Sequence, residues 1–290
     1  MKDTYGAVNT GTGKGESPAA NGEGYKSITV FGATGKTGSE LLDFLSLAQV
    51  RCQAVTRDLR KATPKPFVKW VECDLADRES LRVVLKGCER MYLASDSTEL
   101  ECNAIEAAKE SGVEHVVLLS AYPASSDSGF SFYRALADVG KALMESGLRW
   151  TILKPGGFMQ NWIYFGDFAG TVRKERTIYG GGGVDKLALI DARDIAEVAF
   201  TVLTHPGSNA GKSYVLTGAR VYTYPEIARA LSDAIHEEVT YVTEPPGWYR
   251  SPFLSLSRDK PVITKTVEVI LGRPARTVEQ FFRDYADRFR

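Results

Sequence analysis

Three glycines spaced three apart, Gly32, Gly35 and Gly38, stand in the segment FGATGKTG, after the apolar run Ile28, Thr29, Val30 and ahead of Ser39, Glu40, Leu41 and Leu42. At a turn from strand into helix each glycine has its own task. Gly32 permits the turn, Gly35 lets the backbone approach a ligand, and Gly38 lets helix and strand pack closely. Thr34, Lys36 and Thr37 complete the loop, and the free amides at the helix start, near Lys36 and Thr37, point at a pyrophosphate. The chemistry is dinucleotide binding. The strand that follows reads Cys52, Gln53, Ala54, Val55, Thr56, Arg57, with Asp58 beyond it. Arg57 stands where a cation meets a 2′-phosphate, Asp58 is expected to open the next turn, and Lys36 is expected to add a second positive charge to that phosphate. NADP(H) is therefore expected in preference to NAD.

Such a loop needs a sheet to carry it. Short β-branched runs predict strands at 27–32, 51–57, 68–74, 90–95, 115–122, 149–155, 187–191 and 213–217. Helical periodicity fills 36–47, 79–85, 99–111, 133–145 and 193–203, and two late helices are expected at about 262–271 and 277–289. Apolar strands alternating with amphipathic helices predict an α/β protein, a doubly wound parallel sheet of the Rossmann type. Residues 1–24 are polar and read as a disordered tail, 25–155 as the dinucleotide-binding core, and 156–290 as a smaller substrate lobe together with the last strands and helices of the core.

Composition narrows the partners. Lys plus Arg equals Asp plus Glu at 36 each, so no net field draws the chain to nucleic acid or to an anionic membrane, and a small molecule is the expected partner. There is no run of 18 apolar residues and no apolar leader, which predicts a soluble cytoplasmic protein; the oligomeric state is left open. Cys52, Cys73, Cys88 and Cys102 are scattered without metal-ligand spacing and read as small buried hydrophobes. None of His115, His205 and His236 belongs to a triad or a metal constellation.

A set of local motifs resembles one family. GATGKTG, Val55-Thr56-Arg57, Cys73-Asp74-Leu75, Leu118-Leu119-Ser120-Ala121, the run from Ser146 to Gly156, Ile190-Asp191-Ala192-Arg193-Asp194 and Leu271-Gly272-Arg273-Pro274 are together similar to the NmrA-like branch of the atypical short-chain dehydrogenase/reductases. The resemblance spans about residues 26–290. It implies that Asp74 and Leu75 border the adenine and that Ala94 and Ser95 follow the cofactor edge. It also implies that Ser120 and Ala121 end the strand beneath the nicotinamide, with Pro155, Gly156, Gly157 and Phe158 turning beside it. Asp74 as a helix cap and Pro155-Gly156 as an ordinary turn remain the plainer alternatives.

Short-chain reductases commonly protonate their product from a Tyr whose Lys lies four residues on, one helical turn away. Here Tyr133 is followed at that distance by Ala137, and Lys141 is eight residues on. Tyr133 and, second, Tyr122 are the proton-donor candidates, with Tyr122 equally readable as a packing residue. Met159, Asn161, Trp162, Trp248 and Tyr249 are candidates for the substrate pocket, and the aromatics among them read equally well as core. The resulting expectation is an NADPH-dependent oxidoreductase reducing a small apolar or aromatic carbonyl, imine or activated alkene. The alternatives are a non-catalytic NADP(H) sensor and a biosynthetic cyclase or isomerase on the same fold.

Overall fold

The computed structural model describes residues 27–164, 168–180, 186–243 and 261–290. In chain order the first elements are β1 (Ile28–Val30), α1 (Lys36–Leu47), β2 (Cys52–Thr56), β3 (Val68–Glu72), α2 (Arg78–Leu85), β4 (Arg90–Leu93), α3 (Thr98–Glu110), β5 (His115–Leu119), α4 (Ser131–Glu145) and β6 (Arg149–Pro155). There follow β7 (Gly157–Phe158), α5 (Asn161–Tyr164), α6 (Phe168–Glu175), β8 (Thr177–Tyr179), β9 (Lys186–Ile190), α7 (Ala192–Thr204), β10 (Lys212–Leu216), β11 (Val221–Thr223), α8 (Tyr224–Ile235), β12 (Thr240–Val242), α9 (Thr266–Leu271) and α10 (Val278–Asp284). Predicted tail residues 1–24, the late glycines of the 180–183 connection, and Trp248 and Tyr249 lie outside the described residues.

Seven strands form one parallel sheet in the order β10-β6-β5-β4-β1-β2-β3. Successive strands add outward from β1 in one direction through β3 and then in the other from β4, so the order reverses between β1 and β4. That reversal opens a crevice at the carboxyl ends of these two strands. Leu41, Leu42 and Leu45 of α1 pack with Ile195, Val198 and Val202 of α7 on one face. Leu81 and Leu85 of α2, Ile105 of α3 and Leu143 of α4 cover the other. The doubly wound reading of the sequence is thus the fold observed.

One predicted strand leaves the main sheet. β9 pairs with β7 in parallel and with β11 in antiparallel fashion, because β10 occupies the place beside β6 along its whole length, from Lys212 opposite Thr151 to Leu216 opposite Pro155. β7, β9 and β11, with α5, α6, α8 and α10, surround a separate apolar cluster that includes Phe168, Ile178, Leu187, Ile227, Leu231 and Phe281. The helix α8 received no bounds from the sequence, although Thr223, Pro225 and Glu226 form a complete N-terminal signal, a capping box with proline in the first turn.

Polar anchors tie the segment between β7 and α5 to α7. Asp191, fully buried, caps α7 by accepting from Arg193 N at 2.9 Å and also accepts from Gln160 Nε2 at 2.8 Å, while Gln160 Oε1 accepts from Ala192 N at 2.8 Å. Asp194, equally buried, accepts from Arg276 N at 2.6 Å and pairs with Arg273 at 2.8 Å, fastening the C-terminal segment to α7. Cys52, Cys73 and Cys88 are buried and Cys102 half-buried, all as free thiols. No helix among the described residues is long and apolar enough to cross a membrane.

One of the closest approaches among the described residues is between backbones. Gly38 packs so closely on the turn after β1 that a Cβ there would lie 2.1 Å from Gly32 O. Gly140 in α4 makes the contrast: its Cβ would meet Ile152 Cδ1 at 3.5 Å, an ordinary contact. Gly38→Ala is therefore expected to lower unfolding free energy by about 1–3 kcal/mol through overpacking, read as a shift of the urea midpoint. Gly140→Ala is expected to be neutral or stabilising by up to ~1 kcal/mol. Equal midpoints for the two variants would contradict this packing.

Candidate functional site

The crevice between β1 and β4 begins at Gly32, whose φ of +71° is open to glycine and strained for other residues. A Cβ on it would meet Ala94 O at 2.5 Å, so the loop after β4 closes directly on the loop after β1. Gly35 then serves as the N-cap of α1 with no side chain bonded over the first turn, leaving the amides there open for an anion. Thr37 is pinned from beneath: its Oγ1 lies 2.7 Å from Tyr92 Oη in a buried hydrogen bond. Burial pushes the Tyr92 phenol upward, which keeps it neutral.

Two adjoining cavities open from this point. The first, of ≈ 500 Å³, is lined by Gly32, Thr34, Gly35, Lys36 and Thr37 of the loop, by Arg57 at the end of β2, and by Leu75, Ala94 and Ser95. The second, of ≈ 650 Å³, is lined by Ser120 and Ala121 after β5, by Tyr122 and Tyr133, by Pro155, Gly156, Gly157 and Phe158 of the β6–β7 turn, and by Asn161. Lys36, Ala94, Ser95, Asp96, Leu119 and Phe158 line both. A cradle without side chains, uncapped helical amides and a cation at the second strand together fit a dinucleotide phosphate.

Several expected residues sit elsewhere. Lys36 does not join Arg57: its Nζ donates to Asn161 Oδ1 at 2.8 Å, and Asn161 lines only the second cavity while Arg57 lines only the first. Desolvation there lowers the Lys36 ammonium below the usual lysine range. Lys61, in the 3₁₀ turn Leu59–Lys61 that Asp58 opens by accepting from Arg60 N, is a further cation lining the first cavity with Arg57 and Lys36. Lys61 follows Arg57 by one tight turn, a spacing that was visible in the sequence. Asp74 is exposed and lines neither cavity; its carboxylate accepts from Ala76 N at 3.0 Å in a turn, and the neighbouring Asp77 is the residue that caps α2. Gly38 lies below the first cavity as packing.

Met159 and Trp162 are core residues. Both are fully buried, and the Trp162 ring stacks between Phe168 at 5.2 Å and Phe282 at 4.9 Å. One residue earlier, Asn161 lines the cleft.

Tyr133 is 3% exposed on the first turn of α4, edge-on to Phe130 at 6.1 Å and tilted against Phe132 at 5.4 Å. Lys141 points into solvent and approaches Glu145 at 3.9 Å, so it gives Tyr133 no support. Tyr122 is half-buried, with its N–H donating to Pro155 O at 2.8 Å, which sets the strand end against the β6–β7 turn. Phe132, 57% exposed, and the buried Leu136 add apolar lining that sequence reading did not select. Glu101 of α3, buried, also lines the second cavity. Among the described residues no cluster of His, Cys, Asp and Glu has the arrangement of a metal site.

An NAD(P)H azoreductase of Xenophilus azovorans is 31% identical over 286 residues, covering 90% of this chain and 99% of that protein. The crystal structure of the NADPH-dependent quinone oxidoreductase QOR2 of Escherichia coli, complexed with NADPH, superposes with a TM-score of 0.74 at 22% identity, covering 89% of this chain and 99% of the other. NmrA, a negative transcriptional regulator crystallised with NADP, superposes with a TM-score of 0.71 at 17% identity, covering 90% and 95%. The model of the NmrA-like family matches residues 24–262, and with the glycine cradle at the β1–β4 reversal the chain belongs to the NmrA-like family.

Proposed function

We propose that this chain is an NADP(H)-dependent oxidoreductase that reduces a small apolar or aromatic substrate at a carbonyl, imine or activated double bond. The observation that carries the reading is the continuity of the cleft. Residues that line the phosphate-binding cavity also line the aromatic one, so a dinucleotide laid on the glycine cradle reaches the second cavity with its far end. When bound, the reduced nicotinamide supplies a hydride.

The chain's own residues supply binding, orientation and the proton. Arg57 and Lys61 are the cations for a 2′-phosphate. Phe132, Leu136 and Phe158 enclose an apolar acceptor and exclude water from it. The Tyr133 hydroxyl is the first candidate to protonate the acceptor, and Tyr122 the second. The name of the Xenophilus azovorans relative adds the azo double bond to the acceptor classes to be tried. One observation favours a second reading, a regulator that binds NADP(H) without turnover: Ala137 stands one helical turn after Tyr133, where short-chain reductases commonly carry lysine, and Lys141 is turned to solvent.

Two measurements test this reading. Arg57→Ala is expected to weaken NADPH binding by ~1.5–3 kcal/mol, the range for a charge-assisted contact, while leaving NADH affinity unchanged in calorimetric titration. Equal wild-type affinities for the two nucleotides would reject the assignment. Tyr133→Phe keeps the ring packing and is expected to lower turnover roughly 100-fold with NADPH affinity unchanged. Wild-type turnover in both Tyr133→Phe and Tyr122→Phe would exclude both hydroxyls as donors.

A further inference from the structure

Glu101 is a misfit in its surroundings. It is 1% exposed, lines the second cavity, and uses one carboxyl oxygen, Oε1, to accept from Ser95 N at 3.1 Å. Its other oxygen, Oε2, is buried and has no hydrogen-bond partner among the described residues. Ser120, across the same cavity, has a buried Oγ in the same condition. A buried carboxylate with one oxygen unpaired is a costly anion, and it relieves the cost by taking a proton.

The charges around it point the same way. The acid acting on it from the loop after β4 is Asp96, and the groups its own charge reaches are Tyr92 on β4 and Cys102 beside it on α3. Lys36, from α1, shares the cavity but is held by Asn161, and from α4 the cavity receives Tyr133. The positive end of α3 favours an anion, and the exposed Glu99 in the same turn provides one. Burial, offset in part by the Ser95 N–H and reinforced by Asp96, pushes the Glu101 carboxyl up to about 7.

We propose that Glu101 is the proton store of the cleft, a buried carboxylic acid whose proton reaches the substrate through the hydroxyls of the second cavity, Tyr133 first. The proposal rests on the reductase reading above. Hydride adds to one atom of the acceptor double bond and brings two electrons; the displaced π pair closes on a proton at the other atom. That proton leaves a cavity hydroxyl, which is refilled through a water admitted to the cavity between it and Glu101, as the Oε2–H bond breaks with its electron pair staying on Glu101. The carboxylate then takes a proton from water before the next turnover. Glu101 acts through another group and is thus a positioning residue for the proton.

The test is Glu101→Gln, which retains an oxygen for Ser95 N but holds no acid. With NADPH saturating and an azo dye or a quinone as acceptor, wild-type kcat is expected to fall as pH rises through about 7, the position of the Glu101 carboxyl. In Glu101→Gln that limb is expected to vanish, turnover to drop roughly 100-fold, and NADPH affinity to stay within twofold. A variant that keeps the wild-type limb overturns the proposal while the reductase reading stands.

Thermal unfolding gives a second readout that needs no turnover. The folded protein binds this proton more tightly than the unfolded chain, so the stabilisation is present below the ordinary glutamate range and is lost as pH rises through about 7. Glu101→Gln is expected to match the wild type near pH 5 and to gain in Tm over it towards pH 8. A constant Tm difference overturns the buried acid. A growing difference in a protein that turns over no acceptor keeps the acid and removes the reductase reading.

Discussion

Everything in the cleft depends on a backbone contact that tolerates no side chain. The turn after β1, the start of α1 and the end of β4 meet where a Cβ on Gly38 would lie 2.1 Å from Gly32 O and a Cβ on Gly32 would lie 2.5 Å from Ala94 O. Bringing three elements this close aims the first amides of α1 into the crevice and places Ala94 and Ser95 along the same line. The buried Thr37–Tyr92 hydrogen bond then holds α1 in that position. Preorganisation of this kind lets a phosphate find its donors already in place, without the entropic cost of ordering a loop.

The second half of the cleft is held by a different device. The β6–β7 turn carries Pro155 to Phe158 along the wall of the second cavity, and the Asp191–Gln160 pair fixes the segment just after β7 to the start of α7. Lys36 and Asn161 join the two halves with one hydrogen bond, glycine loop to lobe, at the level where both cavities meet. The lobe has its own apolar core around Trp162 and Phe282, so its contribution to the cleft does not compete with the packing of the main sheet.

Much of this was legible before the structure. The helix expected at 36–47 and the strand at 149–155 coincide with α1 and β6, because each is bounded by glycine or proline and carries an unbroken apolar pattern. The roles of Gly32 and Gly38 follow from spacing alone, since few arrangements other than a strand–turn–helix use glycines three apart. What was not legible depends on rotation and reach. Trp162 and Asn161 are neighbours in sequence, and only the angle at which α5 meets the lobe decides that one enters the core and the other the cleft. The long Lys36 side chain carries its charge away from Arg57 to a residue 125 positions on. Glu101 reads as one more acid in a polar helix start, and its burial arises from α3 packing against its neighbours, which no local pattern encodes.

The central claim is that the far end of a bound dinucleotide meets an apolar acceptor in the second cavity. The direct measurement is mass spectrometry of the product formed from NADPH carrying deuterium on one face of the nicotinamide C4, with an aromatic carbonyl, imine or activated alkene as acceptor, where the deuteride lands on carbon and does not exchange with water. The account predicts deuterium in the immediate product of a carbon acceptor, from one C4 face only, with the opposite face yielding none, since a fixed cleft presents one side of the ring. Equal transfer from both faces, or acceptor reduction without loss of label from either, would contradict it.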